Sequence, residues 1–200
     1  MKDGKVLRIG GFVSGGVLIV FGIIVIALGI YGIHFTRDSI KQEGIVFGPA
    51  TDPAVQEHAE KWAGQPVETG SQALAFAEIM REHTLASTGG LTYAEMGQYQ
   101  SADDPTDKAG TNDPEAAAKD ENGQPISNGA RDIWVTETAL TTALNMGYMA
   151  EMLSIFSIVV GIALLLAGIG FVLLASAVFG RRKASAEAVS PAPAAGAAPG

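Results

Sequence analysis

IWVTETALTTALNMGYMAEM (133–152) runs directly into LSIFSIVVGIALLLAGIGFVLLASAVFG (153–180), and this continuous stretch decides the fold. No charged residue occurs between Glu151 and Arg181, a run of 29 residues. As a helix it would extend ~43 Å, against a hydrocarbon core of ~30 Å. The preceding segment is amphipathic, so one long helix is predicted, lying outside the bilayer over 131–151 and crossing it over 152–180.

A second apolar run, Phe12 to Ile33, has 22 residues without charge. It is too long for an ordinary signal-peptide core, and Ala27-Leu28-Gly29 makes a weak cleavage site. It is therefore expected to remain as a transmembrane helix over 9–34, after a cytoplasmic N-terminus of residues 1–8. His34 at its outer end reads as an interfacial residue. Gly44 is suited to end the helix in a left-handed turn.

Charge fixes the expected topology. Residues 1–8 and 181–200 carry a net charge of +4, and residues 37–151 carry −12. Lys2, Lys5 and Arg8 flank one span, and Arg181, Arg182 and Lys183 flank the other. Basic ends place both termini in the cytoplasm and the acidic middle outside the cell membrane. The acidic excess argues against nucleic-acid binding. With no cysteine, disulfides and thiolate metal sites are excluded. The expected partners are the lipid bilayer and an envelope protein or a second copy of the chain.

The outer region, 35–99, reads as helical. Asp52-Pro53 starts a helix with Val55, Ala59 and Trp62 on one face, closed by Gly64. Thr69-Gly70-Ser71 starts another, with Ala73, Phe76, Ala77 and Met80 inward. Thr92 and Glu95 have capping-box spacing and predict a short third helix. Residues 100–130 hold one large aliphatic side chain, Ile126, with seven acids and many turn signals. Such a segment buries too little apolar surface to offset its ordering entropy, and a disordered acidic loop is expected. Its acids lack the alternation of a calcium loop. The Ala/Pro/Gly-rich end, within 181–200, predicts a disordered cytoplasmic tail.

The strongest motif is a seven-residue repeat of small side chains. Gly15, Gly22 and Gly29 recur in the first span, and Gly147, Ser154, Gly161, Gly168 and Ala175 in the second helix. Small residues at this period let two helix backbones approach closely in lipid. The pattern predicts an antiparallel hairpin of the two spans; homo-oligomerisation is the other use of such stripes. The fold class expected is thus an all-α membrane protein: a two-helix hairpin, a small extracytoplasmic helical cap, a disordered acidic loop and a disordered tail.

Chemistry-bearing residues are few. Glu57-His58 and Glu82-His83 are acid–histidine pairs that lack the spacing of a helical zinc protease site. No phosphate-binding loop, nucleophile elbow or dinucleotide fingerprint occurs. No cofactor and no catalytic residue is assigned. A non-enzymatic envelope accessory or scaffold is the favoured reading. The alternative is a metal-dependent enzyme or sensor using Glu57, His58, Glu82 and His83, which requires these groups to meet in space.

KQEGIVF (41–47), AGQPVETGSQALAFAEIMREH (63–83), GGLTYAEM (89–96) and WVTETALTTALNM (134–146) resemble segments of an uncharacterised family of actinobacterial two-span membrane proteins. The resemblance covers roughly residues 10–178. It implies the same two-span architecture with an outer helical loop, and no established activity.

Overall fold

The computed structural model describes residues 2–188. Four α-helices carry the chain: α1 (Lys2–Gln42), α2 (Pro53–Ala59), α3 (Gly70–Ser87) and α4 (Gly129–Ala188). Single 3-10 turns follow α2 at Glu60–Trp62 and α3 at Tyr93–Glu95. Isolated β-bridges occur among the described residues, but no strand. Two compact units result, one of residues 1–30 with 155–200 and one of residues 31–154.

The first unit is a pair of apolar helices. Both α1 and α4 are long and apolar enough to cross a membrane, with peak mean hydropathies of 2.7 and 2.9. Only 17% of each apolar window is buried within the chain. A core helix of a water-soluble domain would be mostly covered; here Val20, Phe21, Leu166 and Leu173 face outward. The two helices pack together along small residues, as detailed below. α4 continues through Arg181, Arg182 and Lys183 to Ala188. The disordered tail expected from 181 is thus helical to 188, consistent with the good helix formers Arg, Lys, Ala and Glu in that stretch. Residues 189–200 of that expected tail lie outside the described residues.

The second unit is built around Ile40, Phe47, Val55, Val67, Ala73 and Leu144. Phe47 joins its parts: its ring stacks on Trp62 at 5.9 Å and meets Phe76 edge-on at 5.7 Å. The chain reaches this position because α1 ends at Gln42 and Gly44 turns left-handed, at φ +63°. Ile45 to Phe47 then pairs with Gln65 to Val67 through Phe47 N–H to Gln65 O and Val67 N–H to Ile45 O, both 2.9 Å. α2 is capped by Asp52, which accepts from the Ala54 N–H, and α3 by a reciprocal Thr69–Gln72 box. The helix expected at Thr92 is shorter than foreseen. It is one 3-10 turn, held by a Thr92–Glu95 box. A smaller apolar cluster of Met96, Ala130 and Trp134 lies against it, and Trp134 Nε1 donates to Leu91 O at 2.7 Å.

Residues 100–130, expected to be disordered, are folded. Tyr99 and Thr111 exchange both backbone hydrogen bonds, at 2.9 and 2.8 Å. Gln100 N–H donates to Ile126 O, Ile126 N–H to Ala118 O, and Ala118 N–H to Gln100 O. The acids are part of this order. Asp104, Asp107, Asp113 and Asp120 each accept a backbone N–H two residues ahead. Such turns fix the backbone locally without apolar burial, which is why a count of apolar side chains misjudged the segment.

Asn128 closes this network. It is 5% exposed, and its amide donates to Gly97 O and Lys108 O at 3.1 and 3.0 Å. Its side-chain oxygen accepts from the Ala130 N–H at the start of α4. Asn128→Ala takes the partner from the buried Gly97 carbonyl and the more exposed Lys108 carbonyl and removes a cap, a loss of about 1–3 kcal/mol. Limited proteolysis should then cut within residues 98–127 at low protease, while the native chain resists there; equal resistance would contradict this account.

Candidate functional site

Three groups of residues are candidates, and the helix-packing stripe is the first. Gly15, Gly22, Gly29, Gly161, Gly168 and Ala175 are all buried. A Cβ on Gly15 would fall 2.7 Å from Gly168 O, and one on Gly22 2.8 Å from Gly161 O. In return, Cβ atoms on Gly161 and Gly168 would meet Ile26 and Ile19 of α1 at 2.7 and 2.8 Å. Gly11 approaches Ala175, with a 3.0 Å separation for its notional Cβ. The backbones touch because these side chains are absent, the geometry that close packing in lipid requires. Leu165 and Val172, one helical turn after Gly161 and Gly168, lie against Gly22 and Gly15. In the second unit Gly147 faces Ile40, and Ser154 lies against Gly32. Lys2, Lys5 and Arg8 fall within α1, and Arg181, Arg182 and Lys183 within α4.

The second group was not singled out in the sequence. Glu151, 3% exposed, lies where α1, α3 and α4 converge. Its Oε1 accepts from Arg37 Nε at 2.9 Å and Nη2 at 2.5 Å, and its Oε2 accepts from the Gly70 N–H. Gly70 begins α3, so the carboxylate also meets the positive end of that helix. A Cβ on Gly70 would be 2.8 Å from Glu151 Oε2 and 2.9 Å from Tyr148 Cα, so only glycine permits the approach. One signal was present in the sequence. Arg37 and Glu151 are the first charges beyond the two charge-free runs on the acidic side, and they have opposite signs.

The third group is the pair of acid–histidine clusters. His58 Nε2 lies 3.2 Å from Glu82 Oε2, joining α2 to α3, and Glu57 completes a trio whose ligand atoms all lie within 4.8 Å of one another. One imidazole and two carboxylates suit a divalent transition metal. His83 takes a different partner, Asp52, at 3.1 Å. The two histidines therefore belong to separate pairs and do not form one centre. Partial desolvation pushes the Asp52 carboxyl up, but hydrogen bonds from His83 and the Ala54 N–H, with the attraction of His83, outweigh it and hold its pKa below the ordinary value. The hydrogen bond from the Thr92 N–H does the same for Glu95.

No protein-family model, curated protein or solved structure matches this chain.

The three-helix junction makes an asymmetric prediction. Arg37→Ala strands a buried carboxylate and should lower the stability of the 31–154 unit by about 3–5 kcal/mol. Glu151→Gln keeps the shape and some hydrogen bonding. It releases an Arg37 side chain that is already 44% exposed, and should cost about 1–2 kcal/mol. Thermal unfolding followed by tryptophan fluorescence checks the order; equal losses would mean the carboxylate is not the strained partner.

Proposed function

We propose that this chain is a two-span anchor in the cell membrane, with both termini cytoplasmic. Its spans form an antiparallel hairpin, and residues 35–151 form a braced extracytoplasmic platform. The role assigned is that of a non-enzymatic envelope accessory or scaffold, presenting its outer face to an envelope protein or to a second copy. The observation that carries this reading is the Glu151 junction. This buried carboxylate meets both a guanidinium and a helix terminus and joins three helices to one another. Other polar groups are similarly committed: Asn128 binds backbone, Asp52 and Glu95 cap helical turns, and the loop aspartates hold turns. The basic ends and acidic middle support the orientation, and the resemblance to two-span proteins supports the architecture.

Topology and packing are tested together in this cysteine-free chain. A cysteine at Ser101 should react with an impermeant maleimide on intact cells, and one at Ser185 should not; the reverse labelling would sink the orientation. Cysteines at Gly11 and Ala175 should form a disulfide within one chain. Replacing Gly161 and Gly168 by Ile should weaken that crosslink, since overpacking costs ~1–3 kcal/mol. The same change at the outward-facing Leu166 and Leu173 should leave it intact. Crosslinks only between chains would assign the stripe to an oligomer.

A second reading, a metal-dependent sensor, is favoured by one observation, the Glu57–His58–Glu82 trio. Zinc at 100 times its dissociation constant would stabilise the folded chain by ~2.7 kcal/mol. A zinc-dependent rise in melting temperature that is lost in His58→Ala and kept in His83→Ala would favour this reading; no rise would remove it.

A further inference from the structure

Glu137 is a mostly buried carboxylate with little hydrogen bonding of its own. It is 5% exposed, and its carboxylate has one side-chain hydrogen bond, from the neighbouring Thr138 Oγ1 at a long 3.4 Å. Among the described residues no basic side chain pairs with it. The nearby arginines are engaged elsewhere: Arg81 lies over the Trp134 ring, at 5.3 Å, and Arg131 over Tyr93, at 4.1 Å. A carboxylate in so sheltered a position, open only to the depression it lines, is stabilised by an opposite charge placed there.

Its surroundings indicate what carries that charge. Glu137 lines a depression of about 370 Å³ between α3 and α4, together with Asp132, Met80 and Leu140. Met80 and Leu140 are also walls of a larger groove of about 610 Å³, which continues past Phe35, Ile40, Phe76 and Leu144. That volume is within the range of small-molecule sites, and the lining is mostly apolar. The groove uses the end of α1 just after the first charge-free run and the part of α4 just before the second. From Glu137 to Ala150, the last α4 residue of the lining, the helix advances about 20 Å. An acidic end and a long apolar channel directed along α4 toward its charge-free run match an amphiphile with one cationic head. Asp132, Glu137 and Glu43 in the two linings disfavour an anionic one.

We infer that the paired grooves bind a long-chain membrane amphiphile with an ammonium headgroup, its head at Glu137 and its aliphatic chain between α1, α3 and α4. The site goes beyond the scaffold reading, although it rests on the same membrane placement. It gives the outer unit a ligand class.

The test uses the purified full chain in neutral maltoside micelles. The probes are a sixteen-carbon alkylamine and the fatty acid of equal length, each with a photoactivatable diazirine in its chain. Adducts are mapped by mass spectrometry. The amine should label Phe76 to Met80 and Leu140 to Leu144, and the acid should label mainly the outward faces of the spans, such as Phe21 and Leu166. Glu137→Gln should reduce the groove adducts about tenfold, the loss of one charge-assisted contact. Ala143→Trp, which fills the larger groove without touching Glu137, should reduce them while leaving span labelling unchanged. Equal groove labelling by amine and acid, or amine adducts insensitive to both variants, would overturn the assignment. Labelling of Phe21 and Leu166 by either probe reports the apolar spans independently, so failure of the site and failure of the membrane reading are separately visible.

Discussion

A carboxylate that is 3% exposed sets the terms for the 31–154 unit. Glu151 is affordable there only because Arg37 and the Gly70 N–H occupy both its oxygens. Each partner comes from a different helix, so the requirement to satisfy one charge fixes the mutual register of three. Hydrophobic contacts such as those of Ile40, Leu144 and Phe76 are non-directional and specify register less sharply. A carboxylate held by a guanidinium on one oxygen and a backbone N–H on the other, with a glycine-only approach, has far less freedom. The desolvation cost makes such a pair a modest net source of stability, and its greater effect here is on uniqueness of arrangement.

In the other unit the constraint is different in kind. Two helices long and apolar enough to cross a membrane would find no hydrophobic gain from association in lipid, where contact comes from close packing. The glycines at 15, 22, 161 and 168 supply it by bringing carbonyl oxygens of one helix within reach of the other backbone. Large residues sit elsewhere: Phe21, Leu166 and Leu173 are exposed on the outer faces of the pair. This distribution is the inverse of a water-soluble core, and it explains why so apolar a pair of helices buries so little within the chain.

These two constraints differ in how far they can be read from the chain. The glycine repeat is local and periodic, so its members could be named from spacing, together with the helix starts at Asp52 and Thr69. The contacts across the repeat, and the packing of Leu165 and Val172 onto Gly22 and Gly15, depend on helix rotation and were not readable. The Arg37–Glu151 pair joins residues 114 apart, and nothing local announces it. Even so, opposite charges bordering two apolar runs are a usable clue. The histidines were visible as candidates, but their sorting into His58–Glu82 and His83–Asp52 is set by the packing of α2 on α3.

The acidic segment shows where compositional reasoning fails. The expectation of disorder weighs ordering entropy against apolar burial and leaves backbone hydrogen bonding out. Residues 98–128 satisfy that omitted term. Tyr99 pairs with Thr111, and Gln100, Ala118 and Ile126 bond one another through their backbones, while aspartates at 104, 107, 113 and 120 hold turns in the segment. An aspartate ionised at neutral pH is a stronger acceptor for a backbone N–H than a neutral side chain. The same acids that raise the net negative charge thus lower the cost of each turn. Gly110, at φ +60° and packed against Tyr99 O and the Asn128 amide, fits only because it lacks a side chain. Acidity and turn content, which suggest a solvated spacer when counted, build a folded lobe once each aspartate's bond to the N–H two residues ahead is considered.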